Sequence, residues 1–190
     1  MSNKTKNNLL TMNIFLLILS LSVFYSNVFS QNENYPVPPK TPERLFYIQR
    51  NHNANTIVYD VNFDKNGHIN EDEPIDVYWI RYQEQGQRME LRTIEKWYAY
   101  GVDCKKNDDG NFEVELVADK ERTFFLQREA PFKAILTTQI NGKMSILEHI
   151  YIFADNSGVW PTVKYIELFG KELHTGVPTY QKVIVDKNGI

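Results

Sequence analysis

Short aromatic and β-branched runs recur along most of this chain, and they constrain its fold more than any other feature. Several runs alternate apolar and polar side chains, as in IDVYWIRY at 75–82, where Val77 and Trp79 alternate with Asp76. A period of two residues places successive side chains on opposite faces of a β-strand. Nine such runs lie at 45–49, 56–61, 75–82, 112–118, 123–127, 132–140, 144–153, 163–170 and 179–185. The pattern therefore predicts an all-β fold.

Turn signals between the runs indicate antiparallel neighbours. Asn141-Gly142 joins two runs directly, and both residues tolerate the positive φ angles of a tight hairpin turn. Parallel β-α-β units need crossovers of about a dozen residues or more. Only 91–99 has helical spacing, with Ile94 and Trp97 three residues apart. We therefore predict an antiparallel β-sandwich or β-barrel of about nine strands, with one short helix at 91–99.

The first thirty residues differ in kind from the rest of the chain. Two lysines are their only charged side chains, an apolar stretch follows at 14–23, and Val28 and Ser30 meet the steric demand of signal peptidase. This is the plan of a secretory signal peptide. We predict cleavage after Ser30 and a secreted or periplasmic location, with no membrane span left in the mature chain. The alternative is an uncleaved anchor, which polar residues around the apolar stretch disfavour.

The remainder divides into a spacer and one domain. Residues 31–43 contain four prolines and little apolar content, which predicts an extended, solvated spacer. Residues 44–190 are then expected to form a single all-β domain. Without 1–30 the chain has 160 residues, with 19 basic and 24 acidic side chains. We expect no nucleic-acid partner, because that activity requires a basic surface.

Cys104 is the only cysteine, so no internal disulfide is possible. We expect a half-buried strand residue at this position. The alternative is a reactive thiol, which the neighbouring Lys105 and Lys106 would favour by stabilising the thiolate.

One polar loop has the residue spacing of a calcium site. NFDKNGHINEDE at 62–73 aligns with the twelve-residue calcium-binding loop, in which closely spaced oxygens surround the ion. The candidate ligand residues are Asn62, Asp64, Asn66, His68, Asn70 and Glu73. The match is incomplete, because the first position is Asn instead of Asp and strands flank the loop instead of helices. The alternative is an ordinary Asn/Asp/Gly loop, and we expect no cofactor other than calcium.

Histidine and carboxylate side chains form no recognisable catalytic motif. The sequence contains no HExxH, GxSxG or GxGxxG pattern and no phosphate-binding loop. The best acid-base candidate is His52 with Asp60, a pair that predicts a hydrolase. His149 beside Glu148 is a weaker candidate, because a partly buried strand histidine is the better explanation of this position.

Aromatic side chains make up 13% of the chain, enough to line a ligand site as well as to fill a core. In β-sandwiches they mostly fill the core. Tyr98 and Tyr100 are the candidates for an exposed platform that binds an apolar ligand or a glycan. A lipid-binding barrel is a further possibility, and it predicts an open, aromatic-lined interior.

Five segments carry a recognisable pattern. They are LFYIQRN at 45–51, NANTIVYDVN at 53–62, PIDVYWIRY at 74–82, AYGV at 99–102 and VKYIELFGKELHTG at 163–176. Together they resemble an uncharacterised family, the domain of unknown function 4833, over nearly all of 45–185. The resemblance implies an exported bacterial protein with a single domain and no assigned activity. It also implies a shared pattern that includes Asn51, Asn53, Asn55, Asp60, 167–170, Thr175 and Gly176.

The sequence therefore favours an exported binding module or envelope-associated module over an enzyme. The candidate ligand-binding residues are Asn51, His52, Asn53, Asn55, Asp60, Glu167 and Thr175. The expected partner is an unidentified ligand of the cell envelope or the extracellular medium. The alternatives are a hydrolase that uses carboxylate and histidine side chains, and a lipid-binding barrel.

Overall fold

The structure, a computed structural model, describes residues 35–158 and 161–185. The prediction of a mostly β fold is confirmed. The strands are β1 (Arg44–Arg50), β2 (Asn53–Val61), β3 (Ile75–Arg81), β4 (Gln87–Glu90), β5 (Val102–Lys106), β6 (Phe112–Leu116), β7 (Asp119–Ala130), β8 (Lys133–Ile140), β9 (Lys143–Asp155), β10 (Thr162–Glu172) and β11 (Pro178–Ile184). The predicted signal peptide at 1–30 lies outside the described residues.

All these strands join in one sheet that branches at β9. The strand order is β4-β3-β2-β1-β9-β8-β7-β6-β5, with β10 also paired to β9 and β11 paired to β10. Residues 143–146 of β9 pair with β8, and residues 149–152 pair with β1. The β1–β9 pair is parallel, so the prediction of an antiparallel sheet is wrong for this pair. The strands β2 to β8 separate β1 from β9 along the chain. Turn signals indicate only the pairing of strands that are neighbours in sequence, so they could not predict this one.

The sheet curls into a half-barrel around a hydrophobic core. Phe46 and Ile48 of β1 are buried together with Ile57 and Tyr59 of β2, as the period of two residues predicts. The rings of Phe46 and Tyr59 stack with their centroids 4.2 Å apart. Burial of one large apolar side chain stabilises a fold by about 1.5–3 kcal/mol. The buried side chains of β1 and β2 therefore contribute strongly to the stability of the sheet.

The predicted helix is present but begins later than expected. Thr93–Glu95 form one α-helical turn, and Lys96–Tyr100 continue it as a π-helical turn. Arg92 is still extended, with a ψ of 153°, and its N–H donates to Glu95 Oε2 at 2.8 Å. We call residues 93–100 the helical segment. The Tyr59 hydroxyl donates to the Tyr100 carbonyl oxygen at 2.9 Å and so holds this segment against the sheet. None of the helices in the described residues is both long and apolar enough to cross a membrane.

The hairpin predicted at Asn141-Gly142 joins β8 to β9. The φ angles of these two residues are 51° and 77°, the left-handed conformation that a tight two-residue turn requires. A local sequence signal therefore sets this connection, and the register of β8 and β9 follows from it.

Residues 36–43, part of the predicted spacer, contain no helix or strand and are mostly exposed. Gln49 Nε2 nevertheless donates to the Pro36 oxygen at 2.8 Å, and Arg44 Nη1 donates to the Pro39 oxygen at 3.0 Å. Pro38 lies between these contacts and is buried. These residues are therefore attached to β1 instead of being fully solvated.

Candidate functional site

The titratable side chains singled out in the sequence are spread over the sheet. His52 lies in the β1–β2 turn with a φ of 60°, whereas Asp60 lies near the far end of β2. At about 3.3 Å per residue, their positions are about 26 Å apart along the strand. Glu167 lies within β10, and His174 lies in the turn after it. His52 and Asp60 are thus too far apart for direct proton transfer.

Asp60 belongs to a hydrogen-bonded cluster on the sheet face opposite the core. Arg44 Nε donates to its Oδ1 at 2.5 Å, and the Tyr78 hydroxyl donates to its Oδ2 at 2.7 Å. The side chains of Arg44 and Asp60 are only 10% and 14% exposed. Burial and the neighbouring Asp60 carboxylate raise the pKa of Tyr78. Both carboxylate oxygens are occupied, so this cluster joins the strands instead of presenting a charge to a ligand.

The asparagines around the β1–β2 turn also bond to the fold. Asn51 Nδ2 donates to the Ala154 oxygen at 2.7 Å, and Asn51 Oδ1 accepts from the Ala154 N–H at 2.8 Å. This side chain therefore extends the pairing of β1 with β9. Asn53 Oδ1 accepts from the N–H of Asn55, and Asn55 Oδ1 accepts from the N–H of Gln83. All three amides satisfy backbone groups that a turn would otherwise leave unpaired.

Glu167 and Thr175 lie in β10 and in the β10–β11 turn. The Tyr180 hydroxyl donates to Glu167 Oε1 at 2.7 Å, and Lys182 Nζ lies 3.5 Å from the same oxygen. Burial, together with the bond to Glu167, raises the pKa of Tyr180 to about 12. The Thr175 hydroxyl donates to Glu172 Oε2 at 2.8 Å. These contacts join β10 to β11 and close the turn between them.

The calcium-like loop is organised by its own hydrogen bonds. Asp64 Oδ1 accepts from the N–H groups of Asn66 and His68, both at 2.8 Å, and the His68 bond is the main cause that lowers the pKa of Asp64. Gly67 has a φ of 75°, and a Cβ atom there would lie 2.8 Å from the Phe132 nitrogen. The glycine is therefore explained by close packing against the β7–β8 turn.

The other candidate calcium ligands also bond within the loop. Asn70 Oδ1 accepts from the Asp72 N–H at 3.0 Å, and Asn62 Nδ2 donates to the Glu73 carbonyl oxygen at 2.9 Å. In residues 35–158 and 161–185, no group of three or more His, Cys, Asp or Glu side chains is placed to hold a metal ion. The hydrogen bonds account for the loop as a turn structure, and calcium binding stays a prediction.

His149 is a buried residue of β9 that lies between two aromatic rings. Its ring stacks on Tyr47 with centroids 4.5 Å apart and on Phe169 at 5.1 Å. Burial lowers the pKa of His149 to about 3, so the ring is neutral near pH 7. Glu148 is exposed and accepts instead from Lys171 Nζ at 2.6 Å. The geometry favours the interpretation of His149 as a core histidine.

Cys104 is half-buried in β5 and is not bonded to another cysteine. Burial, followed by the Asp103 carboxylate, raises the pKa of its thiol to about 11. The thiolate is the reactive form of cysteine, so the structure favours the half-buried strand residue over a reactive thiol.

The helical segment carries three strongly exposed apolar side chains. Ile94, Trp97 and Tyr98 are 61%, 70% and 77% exposed. Tyr100 instead packs edge-on against Trp79, with centroids 5.4 Å apart. Of the two predicted platform residues, Tyr98 alone is strongly exposed, and Trp97 accompanies it.

A cleft of about 490 Å³ opens beside the core, between β7 and β11. We call it the apolar cleft. It is lined by Asp119, Glu121, Arg122, Thr123, Phe125, Thr138, Gln139, Met144, Ile166, Leu168 and Val183. Leu168 belongs to the core, and Ile166 and Val183 pack against it. Five of these residues are apolar and six are polar or charged, among them the carboxylates Asp119 and Glu121. Apolar surface combined with convergent polar groups is typical of small-molecule sites of this size.

Arg122 supplies the cationic group of the apolar cleft. Its Nη1 donates to the Gln139 carbonyl oxygen at 2.8 Å, and its Nε lies 3.4 Å from Asp119 Oδ2. The Nε atom is buried, and no acceptor in the described residues makes a hydrogen bond with it. Leaving a buried donor unsatisfied is unfavourable by about 1–3 kcal/mol. Because that atom is buried, a ligand could bond only to the accessible part of this side chain, which is 18% exposed and lines the cleft.

None of the residues that line the apolar cleft is among the candidate ligand-binding residues predicted from the sequence. One local signal was available, because β10 alternates Ile166 and Leu168 with Tyr165, Glu167 and Phe169. That alternation separates the two faces of the strand. It does not reveal that the sheet curves away from the inner face and leaves a gap.

A second cleft, of about 510 Å³, lies at the open side of the half-barrel. We call it the seam cleft. Its lining comes from the start of β3 and the residues before it, from the helical segment, and from β5 with its neighbours: Glu71, Asp72, Glu73, Pro74, Ile75, Val77, Lys96, Trp97, Gly101, Val102, Asp103, Cys104, Val117 and Lys120. Nearby, Lys106 Nζ lies 2.6 Å from Glu71 Oε1, which links β5 to the residues that precede β3.

The fold and its clefts define a mostly β domain, with a curled mixed sheet and ligand-sized depressions on two sides. The family described as Domain of unknown function (DUF4833) matches residues 46–182, and the chain belongs to this family. The resemblance noted in the sequence is thereby confirmed. No curated protein and no solved structure gives a significant match.

Proposed function

We propose that the protein is an exported, envelope-associated binding module and that the apolar cleft holds its ligand. The observation that carries this proposal is the apolar floor of the cleft beside the partly exposed side chain of Arg122. The chemistry fits an amphiphile with an apolar body and a head group that accepts hydrogen bonds. The body would remove the exposed surfaces of Ile166 and Val183 from water, and the head group would accept a hydrogen bond from Arg122.

The position of the cleft distinguishes this proposal from a lipid-binding barrel with an open interior. Phe46, Phe124 and Leu136 are fully buried and fill the space enclosed by the central strands. The apolar cleft lies at the flank of that core. A lipid-like ligand therefore fits the side of the half-barrel better than its centre.

The separation of His52 from Asp60 supports binding over hydrolysis. A hydrolase needs an acid and a base that reach the same bond. Asp60 is also bonded to Arg44 and Tyr78 through both oxygens. This arrangement suits a structural carboxylate.

We further propose that residues 1–30 direct export and that cleavage follows Ser30. The module would then act in the periplasm or outside the cell. N-terminal sequencing of the protein recovered from the cells that make it should start at Gln31. Recovery of the chain with residues 1–30 intact would contradict this part of the proposal.

Adjacent residues of β11 provide a matched test of the apolar cleft. Val183 lines the cleft, whereas Ile184 is 66% exposed and lies on the opposite face of the strand. The probe is dodecanoate, titrated calorimetrically into the protein. We expect Val183→Trp to weaken binding at least about tenfold, because the indole fills the cleft, and Ile184→Trp to leave it unchanged. Thermal unfolding of both variants checks that they are folded.

The outcome with dodecanoate decides the proposal. Failure of the unmodified protein to bind this amphiphile would contradict it. Equal affinities of folded Val183→Trp, folded Ile184→Trp and the unmodified protein would also contradict it, because binding would then occur elsewhere.

A further inference from the structure

We propose that the seam cleft accepts an extended, basic segment of a partner protein as an additional strand beside β5. Within the described residues β5 pairs with β6 alone and ends the sheet. The unpaired N–H and C=O groups of an edge strand are a template for another extended chain. This site is separate from the apolar cleft, so the inference does not depend on the proposed function.

The hydrogen bonds at the two ends of the β5–β6 hairpin fix its pattern. The Asn107 N–H donates to the Asn111 oxygen at 2.8 Å, and the Val117 N–H donates to the Gly101 oxygen at 3.0 Å. In an antiparallel pair, hydrogen-bonded and non-hydrogen-bonded positions alternate. The bonds at Gly101 and at Asn107 therefore agree: every second residue of β5, counted from Gly101, is hydrogen-bonded to β6.

That pattern determines which residues of β5 offer their backbone to a partner. Asp103 and Lys105 are two and four positions from Gly101, so their backbone groups point to β6. The N–H and C=O groups of Val102, Cys104 and Lys106 point to the open edge. Among the residues described, no other strand pairs with that edge.

The opposite wall of the seam cleft has a strand edge as well. Strand β4 pairs with residues 78–81 of β3, so Ile75 lies beyond the end of β4. The Asn62 N–H donates to the Pro74 oxygen at 2.9 Å. By the same alternation, the backbone groups of Ile75 point away from β2. An extended segment in the cleft would meet strand backbone on both sides.

The side chains around the seam cleft indicate the chemistry of the segment. Carboxylates outnumber amines among them: Glu71, Asp72, Glu73 and Asp103 against Lys96 and Lys120. Lys106 of the same edge pairs with Glu71, which leaves Asp72, Glu73 and Asp103 as the carboxylates that a basic segment would meet. Trp97 lies at the same cleft and is 70% exposed. Exposed tryptophans are frequent anchors at protein interfaces. A segment that alternates basic and apolar residues matches this combination, because alternate side chains of a strand point to opposite sides.

Synthetic hexapeptides test the charge and the backbone requirement. The probe is (Lys-Val)3, titrated calorimetrically into the full chain, with (Glu-Val)3 and a (Lys-Val)3 peptide carrying N-methyl groups on alternate amides as controls. We expect (Lys-Val)3 to bind and each control to bind at least about tenfold more weakly. No binding of (Lys-Val)3, or equal binding of the N-methylated peptide, would overturn the proposal.

Neighbouring aromatic residues provide the matched variants. Trp97→Ala should weaken binding of (Lys-Val)3 about tenfold, whereas Tyr98→Ala should not change it, since Trp97 lines the seam cleft and Tyr98 does not. Both side chains are strongly exposed, so neither variant should impair folding. Equal affinities of the two variants for (Lys-Val)3 would contradict the placement of the peptide in the seam cleft.

Amide hydrogen exchange gives the decisive readout. Bound (Lys-Val)3 should slow exchange at Val102, Cys104 and Lys106 and leave Asp103 and Lys105 unchanged, since the latter two already bond to β6. Protection confined to other strands would overturn the proposal. The same protection without peptide, rising with protein concentration, would identify a second copy of the chain as the occupant and would also overturn it.

Discussion

Three polar residues that the sequence marks as candidates differ from two features of the clefts in how completely they are hydrogen-bonded. On the sheet surface, Asp60, Asn51 and Glu167 all bond to neighbouring strands or turns. In the described residues around the clefts, the buried Nε of Arg122 and the outer edge of β5 lack such bonds. A polar group that is fully hydrogen-bonded within the protein stabilises the fold. A group that lacks such a bond can instead form one with a ligand, which favours binding. We therefore infer structural roles for Asp60, Asn51 and Glu167, and we propose binding roles for Arg122 and the edge of β5.

Titration of His149 should have the largest effect on stability. Its pKa of about 3 in the fold is below the ordinary value of 6.5, so the unfolded chain binds the proton more tightly. The contribution of neutral His149 to the unfolding free energy is therefore complete above about pH 6.5 and is lost as the pH falls towards 3. Between pH 7 and pH 4 the loss should be about 3 kcal/mol. Urea unfolding at several pH values measures it.

His149→Phe is the matched control, because a phenyl ring can keep the stacking on Tyr47 and Phe169. The variant should retain the pH dependence caused by carboxylates and lose the part due to His149. Identical pH profiles for the two proteins would show that His149 is not buried in its neutral form, and the structural interpretation of this residue would fail.

The next largest change in stability should come from removing one of two carboxylates that lie opposite each other on β2 and β3, and the two removals should differ in their effect. Asp60 and Asp76 are register partners, but Asp60 pairs with the buried Arg44 and Asp76 with the half-exposed Arg88. We expect Asp60→Ala to lower the unfolding free energy by about 3 kcal/mol and Asp76→Ala by less than about 1 kcal/mol. If urea denaturation shows equal losses of unfolding free energy for the two variants, the proposed difference between the buried and the exposed ion pair is wrong.

Arg122→Gln should affect binding more than folding. The variant loses the cationic partner of a head group, so dodecanoate affinity should fall about five- to tenfold. Its unfolding free energy should change by less than about 1 kcal/mol, because the guanidinium in the fold is incompletely bonded. Dodecanol lacks the carboxylate and serves as the control ligand. An equal loss of affinity for both ligands would assign Arg122 a structural role.

The smallest effect expected is that of calcium. The loop at 62–73 uses Asp64 Oδ1 and Asn70 Oδ1 for its own backbone, so we expect the same melting temperature with calcium and with a chelator. A melting temperature that rises with calcium concentration would instead support the predicted calcium site in this loop.

Strand periodicity predicted most of the sheet, including the edge strand β11, but missed the edge strands β4 and β5. Strand β4 is fully exposed and reads QRME, while β5 reads VDCKK and is at most half-buried. Edge strands lack the buried face that produces an apolar period, so neither sequence carries the signal. The parallel pairing of β1 with β9 was also unpredictable, since it depends on the path of the intervening chain.

Sequence patterns identified the polar loops but could not predict how fully their side chains are hydrogen-bonded within the fold. The asparagines at 51–55 and the loop at 62–73 are conspicuous because turns need Asn, Asp and Gly. Their hydrogen-bond partners, such as Ala154 and Gln83, lie in other strands or loops. The clefts depend on the curvature of the sheet, a property that no single segment specifies.

Methyl-group NMR during a dodecanoate titration tests the central claim most directly. We predict that the methyl resonances of Ile166, Leu168 and Val183 shift together with one dissociation constant, while those of Ile57 and Ile75, away from the apolar cleft, stay unchanged. Saturating shifts confined to other methyl groups, or no shifts at all, would contradict the assignment of the apolar cleft as the ligand site.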